Sequence, residues 1–389
     1  MMKQTQIYLP PEILQQIFSY IPAGYHGQID HNAICLVSRA WYSSAITRLY
    51  HAPSILGKNF DSFTRTICPS VNANVRRTEL ALFVHNLDMS HLVYSGSKSL
   101  TARVLGRVKN QLEVFVAPAA TFSLLAFSAL AKCNRLKVLD LEYVIESISI
   151  VQLLKSVGKL PNLERLYIRM FSITAREAKE LREELNLPKS LQHLTVSGLC
   201  EQKAAHKLHE AIGRSNLTSL SITVNADSLL SLAIEAMPHI RIRKLCLSID
   251  ERHLTWEGLM AMQELLSICD SLEELSIPLS AILSPFFTKR ADRNASISPL
   301  RKLSFHRTPT ELTPGCILQP WEWDQLVSNV LSGRLQNLRS IIVRDITDVR
   351  KFEEMDEESP GRLDELDAAL FDEKIENSGL FLAGREDFS

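Results

Sequence analysis

The sequence predicts an α/β solenoid in which parallel strands alternate with helices, and two observations lead to that class. First, the pattern apolar-x-x-apolar-x-apolar occurs eight times, at starts separated by 27, 28, 26, 25, 30, 28 and 38 residues. Such spacings are typical of a repeated structural unit. Second, segments with helical periodicity follow several of these triplets. The eight triplets begin at Leu136, Leu163, Leu191, Leu217, Ile242, Leu272, Leu300 and Leu338.

The spacing inside each triplet predicts a strand with one apolar face. Leu139 and Leu141 are two positions apart, so on a strand they point to the same side. The positions between and beside them, such as Asp140 and Glu142, are largely polar. A doubly wound α/β domain is the alternative, but its buried strands are apolar on both faces. Stacked strand–helix pairs that cover one another's apolar sides explain the pattern better.

Helices are predicted between the strands, and weaker triplets precede the ladder. The helical segments are 147–160, 174–187, 201–213, 227–237, 255–268 and 324–331. The weaker triplets lie at Leu112 with Val114 and Val116, and around Leu80 with Leu82 and Val84. A proline-rich segment at 308–323 interrupts the series of triplets and ends with Trp321 and Trp323. These two tryptophans either pack inside the protein or are exposed and bind a partner.

The N-terminus predicts two amphipathic helices joined by a glycine-containing loop at 23–30. A short third apolar face follows at Ala45, Ile46, Leu49 and Tyr50. Pro10 and Pro11 suit a helix start. About 45 residues cannot bury this much apolar surface by themselves, so we expect part of it to face a partner. A helical hairpin that packs only on its own domain is the alternative. The two apolar faces are Ile13, Leu14, Ile17, Phe18 and Ile21, and Ala33, Leu36, Val37, Ala40 and Trp41.

This N-terminal block resembles an F-box in its order of residues. The run from Leu9 to Leu14, then Ile17-Phe18, and later Leu36 to Tyr42 carry the resemblance. It implies binding to a Skp-type adaptor and, through it, to a cullin–RING ubiquitin ligase. The triplets are similar to the leucine-rich repeats that often follow an F-box. The implied adaptor-binding residues are Leu9, Pro10, Ile13, Leu14, Ile17, Leu36, Val37 and Trp41.

Four regions follow from these patterns: an F-box-like helical motif at 5–50, a junction at 51–74, a leucine-rich-repeat solenoid at 75–350, and an acidic tail with a capping helix at 351–389. In the solenoid we expect the strands on the concave face and the helices outside. Residues 345–389 hold 15 acidic and five basic side chains, a net charge of −10, which leaves +9 elsewhere because the total is −1. The tail is therefore either a solvated terminus or a segment that folds back on a basic face.

The polar positions of successive strands predict a surface for a client protein. Their basic character suggests an acidic or phosphorylated client, and a merely solvated surface is the alternative. The predicted client-binding residues are Arg165, Tyr167, Arg169, His193, Lys244, Lys302, His306 and Arg344.

The remaining patterns argue against other classes of function. No nucleotide-binding, metalloprotease or hydrolase motif occurs, so we expect no catalysis and no cofactor. Seven scattered cysteines without a C-x-x-C pair argue against zinc and for a reducing compartment, the cytoplasm or nucleus. The sequence lacks the basic residues interleaved with aromatic residues that single-stranded nucleic acids need, so we do not expect nucleic-acid binding. It also lacks a long apolar run, so we expect no membrane span.

The sequence thus predicts the non-catalytic substrate-recognition subunit of an SCF-type ligase. Two alternatives remain: a binding scaffold that uses the adaptor or repeats without ubiquitination, and an enzyme built from dispersed residues on the concave face.

Overall fold

The structure is a computed structural model in which the chain divides into two compact units, Met1–Tyr167 and Ile168–Ser389. It describes residues 9–22, 24–69, 79–92, 98–172, 186–200, 202–224, 241–249, 271–278, 299–306, 327, 330, 335–346, 361–372 and 378–384. Trp321, Trp323 and most of the helices predicted at 174–187, 227–237, 255–268 and 324–331 lie outside these residues.

Helices open the first unit. Pro11 is the first residue of the first helix, and the Ser38 hydroxyl caps the third by accepting the Trp41 N–H at 3.3 Å. The loop expected at 23–30 is wrong, because the second helix already begins at Tyr25. The junction contains a further helix, although the sequence there showed little period. These helices are α1 (Pro11–Ser19), α2 (Tyr25–Cys35), α3 (Arg39–His51) and α4 (Gly57–Ile67).

Short parallel strands alternate with helices in the rest of the first unit. After a 3₁₀ helix (Glu79–Phe83), its elements are β1 (Asn86–Asp88), α5 (Lys98–Val108), β2 (Val114–Val116), α6 (Leu124–Leu130), β3 (Val138–Leu141), β4 (Ile148–Ser149), α7 (Ile150–Val157) and β5 (Arg165–Ser172). β1, β2 and β3 pair in sequence order, and the unit boundary falls within β5.

The two weaker triplets are out of register with the structure. In β2 the buried residue is Phe115, whereas Val114 and Val116 are only partly buried. The triplet there is Leu112, Phe115 and Ala117, so the interpretation was wrong by one residue, which exchanges the two faces of a strand. The earlier copy is also misplaced, because Leu80 and Leu82 lie in the 3₁₀ helix and Leu87 is the buried residue of β1.

Parallel strands also build the second unit, each pairing with the next along the chain from β6 onward. All 24 apolar positions of the eight predicted triplets are buried. The mixed α/β class, with N-terminal helices and a parallel sheet, is confirmed. The elements are β6 (His193–Cys200), α8 (Gln202–Gly213), β7 (Ser219–Val224), β8 (Lys244–Ile249), β9 (Glu274–Pro278), β10 (Lys302–His306), β11 (Ser340–Ile346), α9 (Arg362–Leu370) and β12 (Gly379–Gly384).

The acidic tail contributes both a helix and a strand. Leu366 and Leu370 of α9 are buried, while Phe371, which directly follows the helix, is exposed. β12 extends the sheet beside β11, which the sequence did not predict. The Asp367 carboxylate joins the two elements by accepting the Leu380 N–H at 2.6 Å. No helix among the described residues has both the length and the apolar character needed to cross a membrane.

Candidate protein-binding site

One side of α1 is buried and the other is apolar but exposed. Leu14 and Phe18 are buried together with Ala45 of α3, and Leu14 is only 1% exposed. Ile13 and Ile17 are one helical turn apart and exposed, Ile17 at 48%. Leu9 and Pro10, which precede the helix, are exposed as well. The sequence periodicity predicted the helix but not this division of its apolar residues between an inner and an outer side.

The turn between α2 and α3 adds two exposed apolar side chains. Leu36 is 81% exposed and Val37 is 61% exposed. The sequence assigned both to one continuous helical face with Trp41, but α2 ends at Cys35 and α3 starts at Arg39. The break places Leu36 and Val37 in a turn, where none of the described residues covers them.

Trp41 packs against the core of the helical motif. It is partly buried against the core of Leu14, Phe18 and Ala45, and its ring centroid lies 5.5 Å from that of Phe18 in a tilted arrangement. Such aromatic contacts fix the relative position of two helices. Leu14 and Trp41 therefore hold α1 and α3 together, and the other six residues predicted from the resemblance form the exposed part.

Other exposed aromatic and aliphatic side chains were not predicted. Ile29 is 49% exposed and, with Tyr25, lines a separate cleft of about 340 Å³ beside α4. Tyr20 and Tyr42 are also exposed. The spacing of Tyr25 and Ile29 is that of one helical turn, so it would have indicated this face had the start of α2 been recognised.

The register of the second unit aligns several of the predicted client-binding residues. His193, Lys244 and Lys302 occupy the same row across the strands, which we call the first row. They alternate with buried leucines and so lie on the polar side of the sheet. The first row is His193, Ser219, Lys244, Glu274, Lys302, Ser340 and Gly379.

Local partners change the charge that this row presents. The Lys244 ammonium lies 2.6 Å from a Glu274 carboxylate oxygen, so the basic character of Lys244 is largely neutralised. His306 lies farther along β10, with its Nδ1 3.0 Å from the Ser276 hydroxyl. Glu274 was not predicted as a partner of Lys244, because their contact depends on the register between two separate strands.

The remaining predicted client-binding residues lie on β5 and β11. Arg165 and Arg169 are exposed and Tyr167 is partly buried, all on β5. Arg344 belongs to β11, but its side chain lies outside the described residues.

Cys35 is partly buried, and Cys68 and Cys133 are buried. Burial raises the pKa of the Cys133 thiol to about 12 and also raises the pKa values of Cys35 and Cys68, so these thiols are protonated and poorly nucleophilic near neutral pH. Within the described part of the chain, no group of three His, Cys, Asp or Glu side chains is placed to hold a metal ion.

A family comparison identifies the N-terminal helices. Residues 7–55 match the family model described as F-box-like. The chain carries an F-box-like domain at its N-terminus. The match covers α1, α2 and α3, and it includes the exposed apolar residues of α1 and of the turn between α2 and α3.

Two curated proteins are similar to this chain. F-box protein YDR306C of Saccharomyces cerevisiae is 30% identical over 163 residues, which span 42% of this chain and 32% of that protein. Protein pof5 of Schizosaccharomyces pombe is 24% identical over 337 residues, or 85% of this chain and 89% of that protein. The chain thus spans about a third of the first relative and most of the second.

Two solved structures show a weaker likeness. A protein from Bacteroides fragilis aligns with a TM-score of 0.32 and 12% identity over 64% of this chain and 75% of its own. TLR13 in a complex with ssRNA13 aligns with a TM-score of 0.23 and 13% identity over 69% of this chain and 48% of its own. TM-scores this low do not establish a shared fold.

Proposed function

We propose that this chain is the substrate-recognition subunit of an SCF-type cullin–RING ubiquitin ligase. The observation that supports this most is the exposure of Ile13, Ile17, Leu36 and Val37 within the segment that matches the F-box-like family. F-box domains generally bind Skp1-type adaptors, and one of the relatives described above is an F-box protein. The chain itself supplies binding and leaves the chemistry to other subunits, which act by proximity.

The adaptor contact is a helix face in an apolar groove. Ile13 and Ile17 lie one turn apart on α1, and we infer that Leu36 and Val37, in the turn between α2 and α3, complete the contact surface. Burial of apolar area at about 25 cal/mol per Å² drives such contacts, and a few central side chains carry most of the binding energy. The Phe18–Trp41 contact holds the two parts in one arrangement before binding, which reduces the entropy cost.

We also propose that the parallel strands form the inner layer of a leucine-rich-repeat solenoid that binds a client protein. Support comes from the eight buried triplets and from the in-register polar rows of the second unit. Lys302, Arg165 and Arg169 supply positive charge for an acidic or phosphorylated client. Lys244 contributes less, since Glu274 pairs with it.

Coexpression with a Skp-type adaptor tests the first part of the proposal. The wild-type chain should copurify with the adaptor, and the double variant Ile13→Asp with Ile17→Asp should lose it, because two carboxylates cannot enter an apolar groove. Ile29→Asp is the matched control, because Ile29 is 49% exposed, against 48% for Ile17, but lines the cleft beside α4. Retention of the adaptor by the double variant, or its loss in the control alone, contradicts the proposal.

Charge reversal tests the client surface. Clients captured by the wild-type chain during proteasome inhibition should be lost when Arg165, Arg169 and Lys302 are all changed to Glu. A triple change of Lys132, Lys159 and Lys189 to Glu alters the net charge equally at exposed positions outside the strands, so it should leave capture intact. Equal capture by both variants contradicts this surface.

Cullin recruitment distinguishes a ligase subunit from a scaffold. The adaptor complex of the wild-type chain should contain a cullin, and the lifetime of a captured client should lengthen when the chain is removed. A complex without a cullin, together with unchanged client lifetimes, favours the scaffold that uses the adaptor without ubiquitination.

A further inference from the structure

A second cleft lies within the helical motif, away from the exposed apolar face. It has a volume of about 500 Å³ and is bounded by Gln15 of α1, the connection between α1 and α2, and parts of α2 and α3. Small-molecule sites commonly have volumes of this order. The polar residues that line it include Gln15, Gln28, His31, Thr47, Arg48 and His51.

His31 and Ser44 are buried polar residues that line this cleft, and His31 is the one with an unpaired ring nitrogen. Its side chain is 7% exposed, and its Nδ1 lies 2.6 Å from the Gly27 carbonyl oxygen. A carbonyl oxygen only accepts, so Nδ1 carries the proton in this contact. The opposite ring nitrogen, Nε2, is buried and has no hydrogen-bond partner among the described residues. Leaving a buried polar atom unpaired costs stability, which a ligand in the cleft would relieve.

The charges around His31 favour an anion. Arg48 lines the cleft, and none of the described lining residues carries a carboxylate. The N-terminus of α2 also reaches the cleft through Gly24 and Gly27, and no side chain caps it. Free backbone N–H groups and the helix dipole at such an end attract negative charge.

We propose that this cleft binds the phosphate group of a small phosphate monoester. The phosphate accepts hydrogen bonds from the Arg48 guanidinium and the start of α2, and His31 Nε2 pairs with a phosphate hydroxyl or, once protonated, donates to a phosphate oxygen. A bare phosphate fills only part of about 500 Å³, which leaves room for a carbon skeleton. Ile13, Ile17, Leu36 and Val37 do not line the cleft, so this site stands independently of the adaptor contact.

Titration of the full chain with inorganic phosphate and with phenyl phosphate tests the site, by calorimetry in 0.15 M NaCl. Both probes should bind saturably, and phenyl phosphate should bind more tightly. Arg48→Met should weaken binding about tenfold, because it removes a charge-assisted pair. His31→Asn should weaken it as well, since Asn can replace Nδ1 against Gly27 but lacks Nε2. Arg65→Met changes an exposed arginine on α4 outside the cleft and should leave affinity unchanged.

Each result then supports or overturns the proposal. Absence of saturable binding, or equal losses in the Arg48 and Arg65 variants, overturns it. Equal affinities for the two probes assign the cleft to free phosphate and overturn the ester, and tighter binding of a phosphoserine peptide than of phenyl phosphate overturns the small-molecule ligand. If His31→Asn fails to fold, the Arg48 variant and its control still decide the outcome.

Discussion

The imidazole rings of His51 and His85 are stacked, with their centroids 4.7 Å apart. His51 is the last residue of α3, and the backbone N–H of His85 donates to its carbonyl oxygen at 3.0 Å. On the other side of His85, its Nδ1 lies 3.2 Å from Glu113, whose carboxylate also accepts from Lys137 at 2.7 Å. This chain of contacts connects the F-box-like domain to the first strands within the first unit.

The stacked pair predicts a pH dependence of stability. Burial and, to a smaller extent, the neighbouring His85 lower the pKa of His51, and Arg48 acts in the same direction while Glu113 opposes it. The folded state therefore binds the proton less well than the unfolded state, so stability is lost as the pH falls below the usual histidine pKa. Unfolding free energies measured between pH 7.5 and 5.5 should decline, and His51→Asn should flatten the decline.

Glu113 should affect the stability over a lower pH range than His51. Hydrogen bonds from Lys137 and then His85 lower the pKa of Glu113, so its contribution is lost only as the pH falls below the usual glutamate range. A decline between pH 7.5 and 5.5 that is identical in wild type and His51→Asn would exclude His51 as its source.

Gly27 lies where α2 passes close to the connection between α1 and α2, and a larger residue does not fit there. A Cβ atom at this position would overlap the Pro22 carbonyl oxygen, which only a backbone shift can relieve. Gly27→Ala should therefore destabilise the protein by more than about 1 kcal/mol. Gly106, within α5, is the control, because a Cβ there meets nothing within 4 Å. Gly106→Ala should stabilise the protein by about 0.5–1 kcal/mol in the same urea titration.

Leu14 and Ile13 are adjacent but should differ in their effect on stability. Leu14→Ala should cost about 2–5 kcal/mol, since it removes a buried side chain from the core of the helical motif. Ile13→Ala should change stability by less than about 0.5 kcal/mol, because Ile13 is exposed. Thermal denaturation of both variants measures the difference, and comparable losses would mean that Ile13 is buried in the free protein.

The register of β2 predicts which of its residues supports the first unit. Phe115→Ala should cost about 3–5 kcal/mol because Phe115 is fully buried. Val116→Ala should cost less than about 1 kcal/mol, since Val116 is only partly buried. The reverse order in chemical denaturation would restore the register that the sequence suggested.

The sequence predicted the strands wherever the apolar pattern was strict. Leu300, Leu303 and Phe305 are all buried as their spacing requires, because a period of two on a strand directly encodes which side faces the core. The pattern failed at Val114, Phe115 and Val116, where three consecutive apolar residues fit either face. β12 was missed for a different reason, since its place beside β11 depends on pairing with a distant segment.

The candidate site was predicted less completely than the fold. Apolar periodicity identified Leu14 and Ile17 alike, but it does not distinguish a side chain that packs inside the motif from one that is left exposed. That distinction depends on where α1 meets α3, which the Phe18–Trp41 contact sets. No sequence pattern indicated the cleft at His31, because its polar groups come from three separate helical segments.

The affinity of the purified chain for a Skp-type adaptor tests the central claim most directly. Dissociation constants measured by titration for wild type, Ile17→Asp and Ile29→Asp compare two side chains of nearly equal exposure on different sides of the motif. The account predicts a loss of at least about 100-fold for Ile17→Asp, as expected of a central binding residue, and an unchanged constant for Ile29→Asp. Equal constants for all three proteins would contradict it.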